Sequence, residues 1–83
     1  MADDVAKKLE ELNAVAELMT LAIAREKASA DYYDHAFHKA TTEAAKKAFS
    51  LLLEQERQHE SIMRSELVVL RREIEKTRAT INK

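Results

Sequence analysis

The chain contains no glycine, no proline and no cysteine. Without the two strong backbone breakers, nothing forces a turn, and long uninterrupted helices are the natural reading. Without cysteine there are no disulfides, no zinc–thiolate site and no rubredoxin-type iron centre. Aromatics are 5% of the residues, and tryptophan is absent. Clustered β-branched residues and turn glycines, which a strand-rich fold needs, are missing too. No apolar run approaches the roughly 20 residues of a membrane span, and MADDVAKKLEEL does not resemble a signal peptide. A soluble, cytoplasmic chain is expected, with no membrane partner.

What is present is charge and good helix formers. Charged residues make up 35% of the chain, yet the net charge is −1. Residues 1–40 carry 5 basic and 8 acidic groups, residues 41–63 carry 3 and 4, and residues 64–83 carry 6 and 3. Interleaved charge of this kind is neither a disordered acidic tail nor a basic nucleic-acid binder, so no nucleic-acid partner is expected. The basic end falls where cations complement the dipole of a last helix. At 83 residues the chain is a single domain.

Hydrophobic spacing predicts two helices. The first, about 4–38, begins at Asp3 or Asp4 and has a seam of Val5, Leu9, Leu12, Ala16, Met19, Ile23, Glu26, Ala30, Tyr33 and Phe37. The steps alternate between four and three, as in a heptad repeat. Glu26 is its one charged member. A turn is expected at about 39–42, where Thr41 or Thr42 can cap a second helix, about 43–80. The rival is one continuous helix. The second seam reads Ala45, Phe49, Leu52, Glu56, His59 and Met63, then Leu67, Leu70, Ile74, Thr77 and Ile81. Its polar intrusions, Glu56 and His59, again sit together.

Folding the chain at the turn brings these intrusions to one level. Glu26 and Glu56 are equidistant from residue 41, each about 22 Å along its helix. A two-helix hairpin encloses no core of its own. Second apolar flanks, with Val15, Leu18 and Ala22 on one helix and Leu53, Ile62 and Val69 on the other, need cover. The expected fold is therefore all-α: an antiparallel hairpin that dimerises into a ferritin-like four-helix bundle.

Glu56-x-x-His59 places a carboxylate and an imidazole on one helical face, where both can grip one cation. With Glu26, a dimer supplies four carboxylates and two imidazoles, the donor set with which helix bundles hold two iron or manganese ions. The alternative is a metal-free assembly module, whose buried polar layer only fixes register. Tyr33, seven residues after Glu26, is placed to hydrogen-bond a liganding group, or is an ordinary core aromatic. Asp31, Asp34, His35 and His38 form a strip near the turn that attracts cations or is simply solvated. Glu60 flanks the site, or is an ordinary edge acid.

The stretch Ala22-Ile23-Ala24-Arg25-Glu26-Lys27-Ala28-Ser29-Ala30-Asp31-Tyr32-Tyr33 resembles the first metal helix of the rubrerythrin and ferritin-like superfamily. Leu53-Glu54-Gln55-Glu56-Arg57-Gln58-His59 resembles its Glu-x-x-His helix. The short encapsulated-ferritin type is the most similar, over roughly residues 18–66. The resemblance implies that Glu26, Glu56 and His59 bind a di-iron centre at a homodimer interface, with Tyr33 behind them. It implies ferroxidase activity, Fe(II) being oxidised by dioxygen or peroxide for iron storage or detoxification. It also implies higher ring oligomers and work inside an encapsulin compartment. Two features depart from that pattern. Arg25 and Ala28 stand where further acids flank the ligand, and Ile74 to Lys83 reads as helix rather than as a linker and docking peptide.

Overall fold

The computed structural model describes residues 2–81 and consists of two antiparallel helices, α1 (Ala2–Lys39) and α2 (Glu43–Ile81). Each helix runs one or two residues beyond its expected end, and the turn narrows to residues 40–42. Thr42 is the cap. Its side-chain oxygen accepts from the Ala45 N–H at 3.1 Å, and its carbonyl accepts from the Lys46 N–H at 3.0 Å. The Ala40 N–H closes the end of α1 on the Ala36 carbonyl at 2.9 Å. Among the described residues none has a positive φ, so the turn forms without glycine. Thr42→Ala removes the cap and is expected to cost about 1 kcal/mol. Thermal melting followed by circular dichroism should show Tm falling by about 4–8 °C.

The α1 seam is as expected: every named position from Val5 to Phe37 is buried or half-buried, with Ile23 and Ala30 the deepest. The α2 seam differs near the site. Its inward positions are Phe49, Leu53, Glu56, Glu60, Met63 and Leu67, then Leu70, Ile74 and Thr77. This corrects the expectation in four places, one of them at the far end, where Ile81 is 46% exposed rather than part of the seam. His59 is off the seam, with 61% of its side chain exposed. Leu53 is buried between the helices, not on an outer flank. Glu60 is half-buried at the seam, its carboxylate accepting from Arg64 Nε at 3.1 Å. The physical reason is continuity. A seam through Leu52 and His59 needs two successive steps of four at Met63, a stutter that unwinds a coiled coil. The path through Leu53 and Glu60 alternates four and three without a break, so it stays against α1 for the whole length.

The hairpin measures 62 × 14 × 13 Å, with a radius of gyration of 18.6 Å. A compact chain of this length has about 12 Å. Its 6541 Å² of accessible surface likewise exceeds the roughly 5,000 Å² of a compact protein of this mass. No large side chain among the described residues is fully buried.

The two long faces of the hairpin differ in chemistry. In an antiparallel pair, the positions just to one side of each seam share one edge, as Lys8 and Glu73 show by meeting at 3.0 Å. That side carries Val15, Leu18, Ala22 and Tyr32 of α1, with Leu52, Ile62 and Val69 of α2. Leu18 is 66% exposed, Ile62 61% and Tyr32 69%. The opposite side is mainly charged, with Val68 exposed beside Arg71 and Glu75. A cleft there is lined by Asn13, Glu17, Thr20, Arg71, Glu75 and Arg78.

Candidate metal centre

The seam delivers Glu26 and Glu56 to the same level between the helices, both half-buried. His59, one turn after Glu56, leans over them from the apolar side. One ligand atom from each of the three lies within 4.8 Å of the others. His59 Nδ1 is 3.7 Å from Glu26 Oε2, too long for a hydrogen bond.

The two carboxylates leave a hole for positive charge. Glu26 Oε2 and Glu56 Oε2 are both shut off from solvent, and neither has a hydrogen-bond partner. Two ionised carboxylates are acceptors only, so neither can satisfy the other. A proton shared between them, or a cation, supplies what is missing. The pKa of Glu56 rises accordingly: first from the hydrogen bond such a proton makes with Glu26, then from burial and the Glu26 charge, with His59 acting in the opposite direction.

A carboxyl whose pKa rises on folding holds its proton more tightly in the folded chain. Its contribution to stability is full below the ordinary carboxylate pKa and is lost as pH rises through the raised value. Glu56→Gln should therefore raise the Tm of the metal-free protein at neutral pH. The difference from the native chain should shrink on acidification, as read from melts in the presence of chelator.

The other expected site residues are arranged differently. Tyr33 is half-buried in the seam and edge-on to Tyr32, with centroids 5.6 Å apart; among the described residues its hydroxyl makes no hydrogen bond. His38 Nδ1 lies 2.8 Å from the carbonyl of Asp34 and 3.6 Å from its carboxylate. Asp31, Asp34, His35 and His38 do not converge on a point, and among the described residues only Glu26, Glu56 and His59 form a cluster of three metal-type ligands. Glu60 is tied to Arg64 rather than turned to the centre.

What the sequence reading missed is the direction in which the site opens. His59 belongs to the apolar face, with Leu18, Ala22, Ile62 and Val69 on one side along the hairpin and Tyr32 and Leu52 on the other. The signal was in the sequence: continuing the α2 seam through Leu67 without a stutter puts His59 on that flank. No helix among the described residues is long and apolar enough to cross a membrane. Comparison of the chain with protein-family models, curated proteins and solved structures returns no match.

Proposed function

We propose that the hairpin is half of a dinuclear iron centre, completed when a second copy docks on the apolar face, and that the assembled site oxidises Fe(II). The observation that carries this reading is the pair of solvent-excluded, unpartnered oxygens, Glu26 Oε2 and Glu56 Oε2, beneath an imidazole. Buried acceptors facing each other are unfavourable unless a cation joins them. Carboxylate and imidazole donors suit iron and manganese.

A twofold axis through the apolar face doubles the set to four carboxylates and two imidazoles. Glu26 and Glu56 would hold the cations and offset their charge. His59, as neutral imidazole, would add one nitrogen per chain. The apolar residues around the site would exclude bulk water once covered. Two irons so held supply electrons to dioxygen or peroxide, which makes iron storage or detoxification the process served. Resemblance to the rubrerythrin and ferritin-like superfamily points the same way, and an encapsulin compartment remains part of that reading only.

The test is aerobic titration of the metal-free protein with Fe(II), following near-ultraviolet absorbance and particle mass together. Saturation near one iron per chain, on a dimer, is the expected result. An unaltered mass and no saturable absorbance would favour the metal-free assembly module instead.

A further inference from the structure

The charged face carries an ordered pattern that the metal site does not use. Arg57, Arg64, Arg71 and Arg78 recur every seven residues along one edge of α2, all exposed. That spacing is about 10.5 Å on a helix. Along the matching edge of α1, Asp3, Glu10 and Glu17 recur at the same interval, also exposed.

The levels match as well as the spacing. The Lys8–Glu73 contact, though on the other face, fixes which residues of α1 and α2 share a height. At that offset Asp3 stands level with Arg78, Glu10 with Arg71, and Glu17 with Arg64. Nearer the turn the signs invert together: Lys27 stands level with Glu54. Asp34 and Lys47 form a further opposite pair. Five levels thus pair opposite charges, while Arg57, between them, stands level with the uncharged Ala24.

Within the hairpin these pairs do not close. Among the described residues Arg64 binds Glu60 and Arg78 binds Glu75, both on its own helix, and no ion pair joins the two rows. The rows border a groove instead, with Glu17 on one wall and Arg71 and Arg78 on the other.

We propose that the charged face is a second self-association surface, on which another copy of this chain docks with its turn at the same end. A twofold axis parallel to the helices lays α1 of one copy over α2 of the other at equal height. All five opposite-charge levels are then matched, and each is matched twice by symmetry. A twofold axis across the helices lays α1 over α1 and sets acidic rows together, so the charge pattern selects the first arrangement. The surface lies opposite the apolar face, so it does not depend on the metal reading. Combined with a dimer through the apolar face, it builds even-numbered assemblies in which apolar and charged contacts alternate.

Single exposed ion pairs contribute little, and salt screens them. The association should therefore depend steeply on ionic strength. Light scattering on the full chain is expected to give at least twice the particle mass at about 0.01 M salt that it gives at about 1 M, where the screening length falls from about 30 to about 3 Å. Arg64→Glu with Arg71→Glu should hold the mass at its high-salt value even at low salt. Glu10→Arg with Glu17→Arg should do the same. An equimolar mixture of these two proteins should regain the larger mass, because each offers the sign the other lacks. If charge reversal disturbs helicity, Arg64→Gln with Arg71→Gln serves instead, and should shift dissociation to lower salt. A mass independent of salt overturns the proposal. So does a mixture that fails to reassemble, or variants that change Tm but not mass, which would make the rows an intrachain feature.

Discussion

His59→Ala and Glu26→Ala are each expected to abolish the saturable Fe(II) oxidation proposed for this site. The expected loss is complete rather than graded, because a site with three donors per chain has no spare ligand. Removing Glu26 takes away the oxygen that both Glu56 and His59 address. Removing His59 leaves the two acids, which can hold a cation loosely but offer no nitrogen and no fixed direction of approach. Both changes leave the rest of the seam untouched, so circular dichroism should report unchanged helix content. The readout is absorbance growth during aerobic titration, with stoichiometry taken from its break point. Saturable oxidation that survives both substitutions sinks the assignment of these residues.

Leu18→Glu or Ile62→Glu should remove the same proposed activity without touching a ligand. Both side chains are exposed in the hairpin, so the substitutions break no packing within a single chain. Both lie on the face where His59 opens, and docking a second copy would bury them. Losing one such side chain from a packed interface forfeits about 1.5–3 kcal/mol, and symmetry doubles it to about 3–6 kcal/mol. At about 1.4 kcal/mol per tenfold, the dimer weakens by about 10²- to 10⁴-fold before the new charge is counted. Sedimentation should show a monomer, and iron titration should show no break point. Full iron binding by such a monomer would mean that one hairpin suffices, and the half-site reading would fail.

Much of this structure is legible in the residue order. Two helices, their antiparallel pairing and the meeting of Glu26 with Glu56 follow from apolar spacing, because a seam must stay continuous to stay buried. The turn is legible through Thr42, despite the lack of glycine or proline. What misled was local ambiguity in α2. Leu52 and Leu53 are both apolar, and either can belong to a seam that includes Glu56. Choosing Leu52 draws in His59; choosing Leu53 draws in Glu60. Only the longer run to Leu67 and Leu70 separates them, since one path keeps the heptad and the other breaks it. Sidedness is legible in part: the flanks with Val15, Leu18, Ala22, Ile62 and Val69 form one edge of the hairpin, and the seam through Leu53 adds Leu52 and His59 to it. The candidate site itself was legible as a set of residues but not as a geometry, because His59 meets Glu26 from outside the seam.

The unpartnered acid pair also bears on how long a molecule of this protein survives. Proteins are degraded largely through transiently opened forms, and the population of those forms follows stability. An unfilled pair of buried acceptors favours opening, whereas anything bound only by the folded chain opposes it. If a cation fills the gap, the filled chains should outlast the empty ones at identical rates of synthesis. Turnover would then sort the population by occupancy, and the chain's abundance would follow the supply of whatever cation fits between Glu26 and Glu56.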